Sequence, residues 1–195
     1  MRRIFGLWTF LLALLAAMSL PGGTYAQTSS AKKAPPSEAA GKPSARVAGG
    51  YGAWTMLCGT EEGQKDTEER CSLVLPLIEQ KTQKLVFRLI LTHGPKGRLV
   101  LRIDGPTGVA LQRGLELSTE SGETFRVAFQ TCLPMGCKAL TAVQDDLKQA
   151  LLTSKKTTIQ VYALNGRPIK TDADINGLQL GLDALEKKHA GLTKN

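Results

Sequence analysis

Histidine and aromatic residues are scarce in this sequence of 195 residues, which has 2 histidines and 5% aromatic side chains. It also lacks the G-x-S-x-G, H-E-x-x-H, P-loop and dinucleotide-binding motifs that accompany common hydrolytic, metal-dependent and nucleotide-dependent sites. His93 falls in a Gly/Pro-rich turn and His189 near the frayed C-terminal end, and neither adjoins a nucleophile in a known motif. The sequence therefore predicts a protein that is not an enzyme, with no catalytic residues and no cofactor.

Long apolar runs are also missing after residue 26. Before it, Arg2 and Arg3 precede an apolar segment at residues 4–17, and Thr24-Tyr25-Ala26 has the small-x-small form of a cleavage site. The apolar segment is shorter than the roughly 20 residues that a membrane-spanning helix needs. We predict that residues 1–26 are a signal peptide and that the protein is exported, to the periplasm or outer membrane, with the cell surface or the medium as further destinations.

The sequence that follows is poor in apolar residues. Residues 27–49 consist mainly of Ser, Ala, Lys, Pro and Gly, which favour a flexible linker. A single domain is predicted over residues 50–190, because this length suits one ordinary domain.

Basic residues exceed acidic ones, with 25 Lys and Arg against 17 Asp and Glu, and give a formal net charge of +8. They are scattered and are not interleaved with aromatic residues, as a nucleic-acid-binding surface would require. We therefore predict no nucleic-acid partner. Simple solubility explains the excess, and a peripheral attraction to anionic membrane surfaces is the alternative.

Four cysteines, Cys58, Cys71, Cys132 and Cys137, all follow the predicted signal peptide. An even number in an exported chain favours disulfides. Three pairings are possible, and we favour Cys58–Cys71 and Cys132–Cys137 because both are local. The spacings differ from those of zinc sites and of C-x-x-C redox motifs. Trp54 lies shortly before Cys58 on a predicted strand, and burial against a disulfide is a better prediction for it than ligand stacking.

Two clusters of acidic residues are candidates for a catalytic or metal-binding site. Asp145 and Asp146 are adjacent, and adjacent helix positions do not face each other, so they are predicted to lie in the first turn of a helix. The acidic run from Glu61 to Glu69 lacks the alternating pattern of a calcium loop and is predicted to be solvated. No metal site is predicted.

Apolar residues alternate along four segments, which predicts strands with one buried face. These segments are residues 84–92, 98–104, 123–132 and 157–164. Gly- and Pro-containing turns separate them, an arrangement typical of an antiparallel β-sandwich. Helical spacing predicts two short helices, at residues 144–152 and 178–188.

The order of the glycines, cysteines and tryptophan forms a spaced pattern. It runs Gly52-x-Trp54-x-x-x-Cys58, then Cys71, then Phe129-x-x-Cys132-x-x-x-Gly136-Cys137-x-Ala139, and ends in a Gly-Leu-x-x-Gly-Leu-x-x-Leu segment from Gly177 to Leu185. Over residues 50–186 this pattern resembles the invasion-associated locus B family. The element around Gly136 is its most specific part, and we expect Gly136, like Trp54, to be structural.

The resemblance implies an all-β, immunoglobulin-like antiparallel sandwich in an exported envelope protein of Gram-negative bacteria. It also implies a link to entry into host cells, notably red blood cells, or a more general envelope role, and it supplies no catalytic residues. The expected partner is a protein or another envelope component. Two alternatives remain open: a small-molecule or lipid-binding module with a cavity between the sheets or under the last helix, and a thiol oxidoreductase at Cys132 and Cys137.

Overall fold

Residues 45–60 and 69–192, which the computed structural model describes, form eleven β-strands and two α-helices. The strands are β1 (Ala45–Tyr51), β2 (Trp54–Gly59), β3 (Arg70–Ile78), β4 (Leu85–His93), β5 (Leu99–Gly105), β6 (Leu115–Thr119), β7 (Thr124–Val127), β8 (Phe129–Leu133), β9 (Gly136–Ala142), β10 (Lys156–Tyr162) and β11 (Pro168–Asp174). The helices are α1 (Asp145–Thr153) and α2 (Leu178–Leu192). The predicted signal peptide, most of the predicted linker and most of the acidic run lie outside the described residues.

The strands pair in two antiparallel sheets. One has seven strands in the order β1-β2-β3-β4-β5-β9-β8, and the other has four in the order β11-β10-β6-β7. The prediction of an antiparallel β-sandwich with two helices is confirmed. The segment predicted as one strand over residues 123–132 is divided, since β7 pairs with β6 in the small sheet and β8 pairs with β9 in the large one. The chain changes sheets at Ala128, whose carbonyl accepts a hydrogen bond from the Leu140 amide at 3.2 Å.

The core lies between the inner faces of the two sheets, where the predicted alternation holds. Fully buried side chains of the large sheet include Leu73, Phe87, Leu89, Leu101 and Ile103, and those of the small sheet include Leu115, Leu117, Ile159 and Val161. Alternation places Leu85 on the same buried face of β4, but its side chain is 49% exposed. It begins the strand, beside a bulge at Leu77 and Ile78.

Helix α2 packs on the inner side of the large sheet, against β2 and β3. Leu178, Leu182 and Leu185 are buried, as the helical spacing predicted. The helix continues past the predicted end at residue 188 to Leu192. Helix α1 packs against α2 and carries Asp145 and Asp146 in its first turn.

Strand β1 begins at Ala45, within the segment predicted as a linker at residues 27–49 and before the predicted domain start at residue 50. Its apolar residues do not alternate, because Val47 is 70% exposed whereas Ala48 and Tyr51 pack against the core, and a bulge lies between Val47 and Gly49. Arg46 adds a two-pronged ion pair, donating from Nε and Nη2 to the two carboxylate oxygens of Glu69 at 3.0 and 2.9 Å. Because the apolar residues of β1 are irregularly spaced, alternation could not reveal this strand.

Candidate functional site

Cys58 and Cys71 form a disulfide between directly opposite residues of β2 and β3. Both half-cystines are in the core, with 0% and 8% of their surfaces exposed. The Glu69 carboxylate lies within 4.8 Å of both sulfur atoms, which is the spacing of a metal site. Because the sulfurs are bonded to each other, they cannot act as the thiolate ligands that such a site would need.

Cys132 and Cys137 form the second disulfide, which closes the β8–β9 hairpin. Cys137 is 2% exposed, whereas Cys132 lies at the surface. Between them, Leu133 is 51% exposed and Met135 is 100% exposed. The structure thus places an apolar tip in solvent at the end of a cross-linked hairpin.

Gly136 lies at the turn of this hairpin with φ of 150°. A Cβ atom at this position would lie 2.7 Å from the Gly105 carbonyl oxygen, at the end of β5. That separation is too short for any side chain. Glycine at residue 136 therefore lets the cross-linked hairpin lie directly against the neighbouring strand.

Trp54 is 2% exposed and lies on the same buried face of β2 as Cys58. Its indole Nε1 donates a hydrogen bond to the carbonyl oxygen of Ile175 at 3.3 Å. Beside it, the Ala53 amide donates to the Asn176 carbonyl oxygen at 3.0 Å. Trp54 therefore ties the start of β2 to the segment that enters α2, a role that its position in the sequence did not reveal.

The two histidines form a pair that the sequence did not predict. His93 ends β4 and His189 lies inside α2, and their rings stack with centroids 4.1 Å apart and planes 8° from parallel. The turn and the frayed end predicted for them are both wrong, because tertiary packing brings α2 over the end of β4. Across residues 45–60 and 69–192, neither ring hydrogen-bonds a carboxylate, serine or cysteine. The pair therefore lacks the oriented base and nucleophile of covalent catalysis.

The pKa of His93 lies below its ordinary value of 6.5. Burial is the main cause, because it disfavours the charged imidazole. The neighbouring His189 lowers this pKa further, Glu186 raises it, and Lys148 lowers it. Glu186 is itself paired with Lys148, at 3.3 Å between Oε1 and Nζ, so its influence is partly balanced.

We expect the His93–His189 pair to make the folded protein sensitive to acid. Well above pH 6.5 His93 is neutral in both the folded and the unfolded state, so it contributes no pH dependence there. As the pH falls from 6.5 through the lower pKa of the folded state, the unfolded chain binds a proton that the folded chain resists, and the free energy of unfolding falls. Denaturant unfolding measured at a series of pH values across this window should show the decline.

A His93→Gln variant is the control, since it keeps a polar side chain that does not titrate. Its free energy of unfolding should fall less between neutral and acid pH than that of the parent protein. The carboxylates are the same in both proteins, so their contribution to the pH dependence cancels when the two are compared. Equal pH dependence in the two proteins would contradict a role for the pair.

A cavity of about 370 Å³ opens between the end of α1 and the start of α2. Its lining includes the buried Leu151, Ile175 and Leu178 and the polar Ser154 and Lys155. The volume falls within the range of small-molecule sites, roughly 300–1,000 Å³.

Among the described residues, no helix is both long enough and apolar enough to span a membrane.

Comparison with known proteins matches this chain to one family. A family model described as invasion associated locus B (IalB) protein matches residues 54–186. Two proteins named invasion protein B homolog, from Brucella abortus strain 2308 and Brucella abortus biovar 1 strain 9-941, are each 28% identical over 139 residues, which are 70% of this chain and 77% of theirs. The crystal structure of invasion associated protein B from Bartonella henselae has a TM-score of 0.64 at 18% identity, over 73% of this chain and 97% of that one. At that identity, the crystal structure supports the fold alone.

Proposed function

The chain belongs to the invasion associated locus B family, and from this we propose that it is a non-enzymatic, exported cell-envelope protein. Its cross-linked β-sandwich would bind a protein or another component of the envelope or of a host cell. The observation that carries this proposal is the pair of disulfides, since stable structural disulfides are typical of oxidising compartments outside the cytoplasm. The family name supports a contribution to host-cell invasion.

The site geometry supports a binding role over a catalytic one. Within the part of the chain that the structure describes, the four cysteines are all oxidised and the histidine pair lacks a nucleophile beside it. The sandwich surface is then the part of the molecule available for function. We propose no nucleic-acid partner, since the basic residues are scattered along the sequence and are not interleaved with aromatic residues.

Cell fractionation with intact-mass mapping tests export. We expect the protein in the envelope or periplasmic fraction, starting at Gln27 and holding both disulfides. A full-length chain with free thiols in the cytoplasm would refute the proposal. A deletion of residues 2–20, which removes the apolar run but keeps the domain, is the matched control and should leave the protein in the cytoplasm.

The biological role is tested by deleting the gene. Loss of host-cell contact with normal growth in pure culture would support invasion, whereas envelope damage in pure culture would support a general envelope role. Crosslinking in intact envelopes should recover a reproducible partner in either case. If no partner is recovered in either setting, the binding role is wrong.

The cavity between α1 and α2 favours a second candidate, a small-molecule or lipid-binding module. It lies beside the last helix, one of the two places where the sequence allows a ligand site, and buried apolar side chains are part of its lining. Native mass spectrometry of protein purified from its own host should show a bound adduct if this function is correct. Protein that is free of adducts under mild conditions would argue against it.

A further inference from the structure

The tip of the β8–β9 hairpin combines apolar exposure with rigidity. Leu133 and Met135 expose 51% and 100% of their surfaces, and Pro134 between them is also exposed. The Cys132–Cys137 disulfide closes the hairpin just behind them. A rigid loop loses little conformational entropy on binding, so the exposed side chains are already arranged for contact.

Charge is absent from the whole hairpin end. Residues 127–137 contain no Asp, Glu, Lys or Arg, and Lys138 follows them on β9. Arg126, which precedes them, lies on β7 of the small sheet and pairs with Glu116 at 3.6 Å. An apolar tip with basic residues at its base is the pattern of a segment that enters a membrane interface.

Basic residues gather behind the tip on the outer face of the large sheet. Arg88, Asp104 and Lys138 are directly opposite one another on β4, β5 and β9. The Asp104 carboxylate lies 3.5 Å from Arg88 Nε and 3.1 Å from Arg102 Nε. Two arginines share this carboxylate, and Lys138 is the strand partner of Asp104 on β9, so positive charge is in excess here. We call Arg88, Arg102 and Lys138 the basic cluster.

The distance between tip and basic cluster suits a bilayer. Lys138 lies three residues beyond Met135, and at about 3.3 Å per residue the two are about 10 Å apart along the strand. Interfacial segments bury their apolar face roughly 5–10 Å into the boundary between headgroups and acyl chains. With Met135 at that depth, Lys138 and Arg88, which share one rung of the sheet, would lie among the headgroups, where they are attracted to anionic lipids. Arg102 lies two residues farther from the tip, at the outer edge of that layer.

We propose that the β8–β9 hairpin is a membrane anchor, which inserts Leu133 and Met135 into the interface of an anionic bilayer while the basic cluster contacts the headgroups. This inference rests on the proposed function, since it needs an exported protein beside an envelope or host membrane. It specifies the partner as a lipid surface. Binding is expected to be weak and reversible, because only two side chains are inserted.

Flotation with vesicles tests the anchor, using protein processed by the exporting cell. The parent protein should bind vesicles of phosphatidylglycerol and phosphatidylethanolamine and bind phosphatidylcholine vesicles weakly. Met135→Asp and Leu133→Asp should each lower binding about tenfold or more, because they replace an inserted apolar side chain with a charge. Leu164→Asp is the matched control, since Leu164 is 78% exposed at another hairpin turn and should leave binding unchanged.

A Met135→Trp variant reports the depth of the tip. Trp54 is buried and gives a constant background, so a blue shift of the added emission on anionic vesicles would show insertion. No shift, or aspartate variants that bind vesicles like the parent, would overturn the proposal. If the Met135→Asp variant still binds vesicles but no longer crosslinks to a protein, the tip binds a protein partner, and the membrane-anchor proposal is also overturned. Because export and disulfides are measured separately, a negative vesicle result leaves the proposed function intact.

Discussion

A Gly177→Ala variant is expected to lose roughly 3–5 kcal/mol of its free energy of unfolding, a loss at the upper end for a single substitution. Gly177 has φ of +86°, and a Cβ atom there would lie 2.3 Å from the Tyr51 carbonyl oxygen and 2.6 Å from its carbon. Both neighbours are backbone atoms, which cannot swing aside as a flexible side chain can. The β1–β2 turn and the start of α2 would therefore have to separate.

The contact is reciprocal, which makes the expected loss larger. Gly52 in the β1–β2 turn has φ of +60°, and its Cβ would lie 2.4 Å from the Asn176 carbonyl oxygen. That oxygen accepts the Ala53 amide, and the preceding Ile175 carbonyl accepts the Trp54 indole. Separation of the two turns would break both hydrogen bonds and disturb the packing of the tryptophan.

Substitutions at two other glycines distinguish backbone strain from the close approach of the two turns as the cause of this loss. The free energy of unfolding, measured with denaturant, is compared among the variants. Gly122 has φ of +88°, but a Cβ atom there would have no neighbour within 4 Å, so Gly122→Ala should cost only about 1–2 kcal/mol of backbone strain. Gly50 has neither a positive φ nor a close neighbour, so Gly50→Ala should be nearly neutral. If Gly177→Ala costs no more than Gly122→Ala, the close approach of the two turns is not what requires glycine.

The glycine pattern that suggested the family also has a physical meaning. Gly52 and Gly177 allow two backbone turns to meet, and Gly136 lets a hairpin lie against β5. At Gly181 a Cβ would lie 3.0 Å from Leu73 Cδ1, so this residue brings α2 close to β3. The sequence marks these positions as a pattern, but their reason lies in contacts between segments that are distant along the chain.

Local patterns predicted the elements that bury one face. The segment predicted at residues 84–92 is β4 at Leu85–His93, and the helix predicted at 144–152 is α1 at Asp145–Thr153. Alternation and helical spacing record burial directly, so strands and helices that contribute to the core are visible in the sequence. The sequence also indicated the disulfide pairing of the structure, because each half-cystine pairs with its neighbour along the chain.

Features that depend on tertiary contacts were not predictable. Strand β1 has irregularly spaced apolar residues and pairs with β2 across a bulge. The change of sheet at Ala128 depends on which partner strand each half of the predicted strand meets. The His93–His189 pair joins a strand end to the last helix, and neither residue has a distinctive neighbour in the sequence. Candidate sites formed in this way need the fold before they can be recognised.

Removing the Cys58–Cys71 disulfide, by replacing both residues with alanine, is expected to lower the free energy of unfolding by about 3 kcal/mol or more. The bond joins residues 13 apart, and in the chain-entropy model a loop of this length accounts for about 3 kcal/mol. Because both half-cystines are buried, the lost sulfur atoms also leave a void in the core. The matched pair Cys132→Ala and Cys137→Ala should cost less, about 2 kcal/mol, because that disulfide spans only 5 residues.

The two disulfides also differ in exposure, and this difference sets the order in which they are reduced. Cys132 is at the surface, so a thiol reductant should open Cys132–Cys137 in the folded protein, whereas Cys58–Cys71 should need global unfolding first. Unfolding curves of the two double variants, together with mass mapping after graded reduction, measure both effects. If the Cys58 and Cys71 variant is the more stable of the two, or its bond is reduced first, the core position of this disulfide is not a source of stability. If Cys132–Cys137 instead equilibrates readily with glutathione at cellular potentials, a thiol oxidoreductase replaces the structural role argued for that hairpin.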